Sequence, residues 1–213
     1  MVATKTIKSN NKRALPLAAE ALKKGGLAVF PTETAYGLGA MATDRKAVER
    51  VFEVKGRPRQ KSLPVIVDCL STIERYVRVS GLARRLAKKF MPGPLTLVVR
   101  AKNKRLSAVS RKGIAFRIPS NRFARELCSL VGEPVTSTSA NPSGTKPFYR
   151  ATEVKKHFYG KADVIIDAGT LKQVLPSTIL DVRKKTPVVI REGPVSTRDV
   201  FREIRASERS RAG

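Results

Sequence analysis

Two hydrophobic periodicities alternate along this chain, and that alternation restricts the fold more than any other feature. Helical spacing puts Ala14, Leu15, Ala18, Ala21 and Leu22 on one stripe between Asn11 and Lys24, and Gly25-Gly26 then stops the helix. The continuous apolar run Leu27-Ala28-Val29-Phe30 reads as a buried strand closed by Pro31. Asp44 stands where an N-cap is needed for a second helix with Ala47, Val48, Val51 and Phe52 inward, and Gly56 suits the left-handed residue that ends it. The same reading predicts a strand over 63–67, a helix over 83–90 and strands over 95–99 and 114–118. A helix then runs from its cap Asn121 to Gly132, followed by a short helix over 152–158. Strands over 164–166, 178–180 and 188–190 precede a last helix capped by Ser196. No repeat, linker or low-complexity tract interrupts the series. The expectation is one α/β domain over 11–205, a twisted open mixed sheet flanked by helices around a concave basic cleft, with flexible segments at 1–10 and 206–213.

The 213 residues, 41% of them hydrophobic, suffice for a single core. No run approaches the roughly 18 apolar residues that span a bilayer. Lys5, Lys8, Lys12 and Arg13 interrupt any secretory leader, so a cytoplasmic location with no membrane partner is expected. Cys69 and Cys128 stand in apolar contexts and read as two buried thiols. With one histidine and no CxxC, no metal site can be assigned to protein side chains. His157, in KKHF, reads as a surface or packing residue.

Charge is the unusual property. There are 43 basic against 17 acidic residues, a net +26, and fifteen Lys and Arg lie between Glu74 and Glu126 with no acid among them. Such a stretch creates a positive potential that attracts anions. A nucleotide, a nucleic acid and a plainly solvated basic surface are all compatible with it. Aromatic residues make up 6% with no Trp, so contact with RNA would run through phosphates and not through base stacking.

Four segments are too polar and too rich in turn formers to be mere connections. Pro31-Thr32-Glu33-Thr34-Ala35-Tyr36-Gly37-Leu38-Gly39 brings hydroxyls and glycines to the end of a buried strand, where ligand crevices form in α/β sheets. Gly37 to Ala42 formally fits G-x-G-x-x-A, but the distance from the strand and the lack of a later acid-tipped strand exclude a dinucleotide fold. In Lys55-Gly56-Arg57-Pro58-Arg59-Gln60-Lys61, an extended backbone would turn Arg57, Arg59 and Lys61 toward one cleft. Thr136-Ser137-Thr138-Ser139-Ala140-Asn141-Pro142-Ser143-Gly144 is poor core and good ligand surface. Arg117, Ser177 and Arg191 stand at strand ends.

PTETAYGLGA, KGRPRQK, MPGPLTLVV, AFRIP, STSANPSG and PSTILD, in this order and spacing, resemble the YrdC/TsaC family of threonylcarbamoyl-AMP synthases, in its short single-domain form. The resemblance covers about Asn11 to Gly193. It implies formation of L-threonylcarbamoyladenylate and pyrophosphate from L-threonine, bicarbonate or CO2, and ATP with Mg2+. The adenylate would feed N6-threonylcarbamoylation of adenosine 37 in tRNAs reading ANN codons, through a tRNA-threonylcarbamoyl transfer machinery. Carried over by motif, Thr34, Arg117, Ser137 and Ser177 match threonine-binding positions. Arg57, Lys61, Ser139, Asn141 and Arg191 match ATP-binding positions, and the resemblance implies that Lys55 and Arg57 would be the catalytic residues. Two departures stand out: Lys61-Ser62-Leu63-Pro64 shifts a proline, and Ile66 replaces a common histidine. Both reactants are anions, so fixed cations and positioning would supply the catalysis without a covalent enzyme intermediate. A different class, an RNA-binding or ribosome-maturation module contacting tRNA or double-stranded RNA, is the alternative that the bulk charge suggests.

Overall fold

Pairing between strands far apart in sequence organises the protein, whose structure, a computed structural model, describes residues 2–184 and 186–209. The chain begins with β1 (Lys5–Lys8), α1 (Ala14–Lys23), β2 (Ala28–Pro31) and β3 (Tyr36–Gly39). Then come α2 (Arg45–Lys55), β4 (Val65–Ile66), α3 (Leu70–Glu74), β5 (Val77–Arg78) and α4 (Gly81–Phe90). The middle of the chain forms β6 (Leu95–Ala101), β7 (Ile114–Arg117), α5 (Arg122–Val131), β8 (Val135–Thr136) and β9 (Thr138–Ser139). It finishes with α6 (Ala151–Phe158), β10 (Val164–Asp167), β11 (Thr178–Asp181), β12 (Val188–Arg191) and α7 (Thr197–Arg209).

The domain is α/β with mixed pairing, as expected, but its strands form two sheets and not one. The first runs β1-β10-β2-β3-β9, and the second runs β12-β11-β6-β7-β4-β8 with β5 added on β6. The chain passes between the sheets after β3, after β8 and after β10, and the shortest passage is the second: β8 pairs antiparallel with β4 in the second sheet, and β9 pairs antiparallel with β3 in the first. Ser137, the residue between β8 and β9, therefore sits on the seam.

Local chemistry explains the helix ends. The Asp44 carboxylate accepts from the Ala47 amide at 3.1 Å and Gly56 takes φ 59°, so α2 is capped as its sequence predicts. Asn121 caps α5 in the same way at 3.0 Å, and Gly132 ends it at φ 74°. In β2 both faces are buried by alternation: Ala28 and Phe30 pack toward α1 and α5, while Leu27 and Val29 enter the main core.

Several expectations change. Within the segment 1–10, expected to be flexible, Lys5–Lys8 forms a strand that pairs in parallel with Val164–Asp167. Pro31 does not close its strand; it pairs with Tyr36 in the β2–β3 hairpin. The helix α7 continues to Arg209, past the expected end at 205, and residues 210–213 lie outside the described part. Cys128 is buried, whereas Cys69 is partly exposed. His157 is a packing residue, as expected, set edge-on between Phe148 and Phe158 with ring centroids 5.9 and 4.8 Å away. Among the described residues no helix is long and apolar enough to cross a membrane.

Candidate active site

A cavity of about 500 Å³ opens along the seam between the sheets. Its floor is one face of the second sheet, where strand alternation turns Thr96 and Val98 of β6, Ala115 and Arg117 of β7, and Ile179 of β11 toward the opening. The β2–β3 turn and the β8–β9 crossover form the opposite wall, bringing Thr32, Thr34, Gly37, Ser137 and Ser139. Among the described residues five cations line the cavity, Arg57, Lys112, Arg117, Arg183 and Arg191, and the nearest carboxylate, Glu33, is paired with Arg117. Such a wall is electrostatically complementary to an anion.

The closed end is held by a dense bond network. Arg117 is almost fully buried and donates to the Glu33 carboxylate, which also accepts from the Asn121 amide. Burial lowers the Arg117 pKa, and the facing Glu33 opposes that effect. The Ser177 hydroxyl lies 2.8 Å from that of Thr96, and Arg191 donates to the Ser177 carbonyl at 3.0 and 2.8 Å. The Arg191 pKa is lowered by burial and by the nearby Arg117. Thr32 accepts from the amides of Thr34 and Ala35 and donates to the Ala35 carbonyl, which fixes the turn that presents Thr34. Gly37 lets the turn and the crossover approach closely, since a Cβ there would stand 3.1 Å from the Ser137 hydroxyl.

Of the residues singled out by sequence, Thr34, Arg57, Arg117, Ser137, Ser139, Ser177 and Arg191 share this one cavity. Lys55, Lys61 and Asn141 do not line it. Lys55 is buried behind the wall, where its ammonium donates to the carbonyls of Ser139 and Asn141 at 2.5 and 2.7 Å and faces the Asn141 side-chain oxygen at 3.4 Å. Its acceptors are all neutral, and burial, helped by Arg57, brings its pKa down to about 8. Asn141 in turn donates to the carbonyls of Pro142 and Thr145 at 2.9 and 2.7 Å. This pair braces the loop after β9. Residues 58–61 form a turn, with the Lys61 amide bonded to the Pro58 carbonyl, so the extended arrangement expected of Arg57, Arg59 and Lys61 does not exist. Only Arg57 reaches the cavity; it also donates to the carbonyls of Lys61 and Ser62. Arg59 turns back onto α2, 3.5 Å from Glu49 and over the Phe52 ring. Ile66, at the place of a histidine in the motif, is buried and adds an apolar patch to the wall.

Sequence reading missed Lys112, Arg183 and Tyr149 as lining residues. They come from three separate segments with no motif of their own. The Asp181-x-Arg183 spacing at a strand end was the one available sign.

A crevice of arginines and hydroxyls at the junction of two sheets in an α/β domain has the concave, polar lining of a small-molecule site. The chain belongs to the Sua5/YciO/YrdC family: the family model described as telomere recombination matches residues 20–193. The threonylcarbamoyl-AMP synthase of Pyrococcus abyssi is 38% identical over 192 residues, which cover 88% of this chain and 56% of that protein. The crystal structure of the P. abyssi Sua5 protein complexed with L-threonine superposes with a TM-score of 0.86 at 33% identity, over 94% of this chain and 60% of that one. The chain thus spans little more than half the length of this relative. A putative threonylcarbamoyl-AMP synthase of Methanocaldococcus jannaschii is 35% identical over 90% of this chain and 91% of its own length. Escherichia coli YciO, described as uncharacterized, matches in structure with a TM-score of 0.81 at 33% identity, over 94% of this chain and 100% of its own.

Proposed function

We propose that the protein is an L-threonylcarbamoyladenylate synthase, a nucleotidyltransferase that uses L-threonine, bicarbonate or CO2, and ATP and releases pyrophosphate. One observation carries this reading: Arg57, Arg117 and Arg191 converge with Thr34, Ser137, Ser139 and Ser177 on a single cavity. The names of the P. abyssi and M. jannaschii relatives, and the L-threonine bound to the former, support it.

In this reading Arg117 takes the threonine carboxylate at the closed end, and the hydroxyls of Thr34, Ser137 and Ser177 orient the amino acid. Arg57, Ser139 and Arg191 hold the phosphates of ATP. The threonine nitrogen bonds to the carbon of CO2 and loses a proton, giving a carbamate. A carbamate oxygen then bonds to the α-phosphorus while the bond from that phosphorus to the α,β-bridging oxygen breaks, and pyrophosphate leaves with the electron pair. Fixed cations reduce the repulsion between the two anions and keep the attack in line. Lys55 and Asn141 act by bracing the Ser139 loop. Mg2+ would come as the ATP complex, and its charge would add to that of Arg57 and Arg191 at the phosphates. The adenylate is the substrate of a transfer enzyme acting on tRNA adenosine 37.

The purified protein should release pyrophosphate from ATP only when both threonine and bicarbonate are present. Release that ignores threonine, or no release at all, rejects the reading.

A second reading concerns the surface. Of the fifteen cations between Glu74 and Glu126, only Lys112 and Arg117 line the cavity, while Arg78, Arg84, Lys88, Lys89, Arg100 and Lys102 are exposed. That placement favours contact with the phosphates of tRNA or double-stranded RNA. Filter binding at rising salt tests it, and no salt-sensitive affinity for either RNA discards it.

A further inference from the structure

One end of the cavity has no role in the reaction scheme above. Val98, Ala115 and Ile179 form an apolar strip on the cavity face of the second sheet, each partly exposed, although they lie on adjacent central strands. Their neighbours Leu97, Val99, Phe116 and Leu180 are buried on the opposite face. The strip leads from the closed end, with Thr96, Arg117 and Ser177, to an outer end formed by Lys112, Gly113 and Arg183.

Arg183 is held rigidly there. Its Nε donates to both Asp181 carboxylate oxygens at 2.9 and 3.1 Å, and Nη2 donates to one of them at 2.6 Å. Its Nη1 donates to the Lys112 carbonyl, tying the end of β11 to the turn before β7 across the intervening β6. Gly113 leaves the space for this clasp: at φ +152°, a Cβ would stand 2.8 Å from Arg183 Cδ and 2.9 Å from Nη1. Asp181 offsets the positive charge of the guanidinium and fixes its plane. A charge-compensated, flat guanidinium recognises planar rings by stacking, and an apolar strip beside it suits the same kind of group.

We propose that Arg183, clasped by Asp181 and the Lys112 carbonyl, is a specificity-determining residue that holds the purine base of the nucleotide against the strip of Val98, Ala115 and Ile179. The inference rests on the reading of ATP as a ligand and adds the part of the site that selects its base. The phosphates are left to Arg57, Ser139 and Arg191.

Calorimetric binding of ATP, UTP and L-threonine, without turnover, tests the assignment on wild type, Arg183→Ala and Arg183→Lys. Thermal unfolding of each variant checks that it is folded. Arg183→Ala should weaken ATP binding about tenfold, or ~1.4 kcal/mol, and narrow the preference for ATP over UTP. Arg183→Lys keeps the charge but lacks the planar fork and should behave like Arg183→Ala, while threonine affinity stays within about twofold in both. Unchanged ATP affinity and ATP/UTP ratio in Arg183→Ala would overturn the assignment. So would wild-type behaviour of Arg183→Lys, which would reduce the residue to a charge. A parallel loss of threonine binding would also overturn it, as the sign of structural support alone. A wild-type protein that binds threonine but neither nucleotide would instead reject ATP as the ligand, and this inference with it.

Discussion

Arg117 and Glu33 face one another as an ion pair at the closed end of the cavity, with side chains only 8% and 16% exposed. Removing one partner of a buried pair leaves the other charge stranded, at a cost of about 3–5 kcal/mol. Arg117→Ala should therefore lose threonine binding and also unfold at markedly lower denaturant. The double variant Arg117→Ala/Glu33→Ala should recover much of the stability but not the binding. Denaturant titrations and threonine calorimetry on the two variants separate these effects.

Lys55 gives a pH prediction with a definite sign. Its folded pKa, about 8, lies below the roughly 10.4 of an unfolded lysine. Between those values the unfolded chain binds more protons, so the stability contributed by this residue rises with pH and is flat below the window. The difference in unfolding free energy between wild type and Lys55→Met should grow between about pH 8 and pH 10. A difference that stays level or shrinks would show that Lys55 remains a full cation behind the wall.

Arg57 and Lys61 belong to one motif and should behave differently. Arg57→Ala removes a cation from the cavity and should raise the KM for ATP about 10- to 100-fold, in line with a charged hydrogen bond. Exposed Lys61 lies off the lining, and Lys61→Ala should change that KM by no more than about twofold. Steady-state kinetics of pyrophosphate release compares them.

The two thiols should be distinguishable chemically. Burial raises the Cys128 pKa, which keeps it a protonated thiol, whereas Cys69 is partly exposed. A thiol-disulfide colour reagent should titrate Cys69 in the native protein and Cys128 only after denaturant is added.

Capping and apolar periodicity are local signals, and so Asp44, Gly56, Asn121 and Gly132 are readable directly from sequence together with the helices they bound. Strands β3, β8 and β9 are not readable: they are two to four residues long, rich in glycine and hydroxyls, and exist only because a remote strand pairs with them. The site divides the same way. The motif residues Thr34, Ser137 and Ser177 are legible because each lies in a polar segment next to an apolar strand, and Arg117 because it is the one charge at the end of such a strand. The alternation assumed for Arg57, Arg59 and Lys61 fails because Pro58 begins a turn. Arg183 and Lys112 meet only through the register of β11, β6 and β7, which no local window contains.

The parallel pairing of β1 with β10 bears on how the protein comes off the ribosome. Lys5–Lys8 finds its partner only when Val164–Asp167 has been made. At about 5–20 residues per second, that leaves the first strand waiting for roughly ten to thirty seconds of synthesis. During this interval β2 exposes the backbone edge that β10 will later occupy, between β1 and β2. Two lysines in the four-residue β1 discourage the waiting strand from pairing with another nascent chain. The first sheet therefore grows outward from the β2–β3 hairpin and is completed only late in translation, and vectorial synthesis sets the order in which its strands can join.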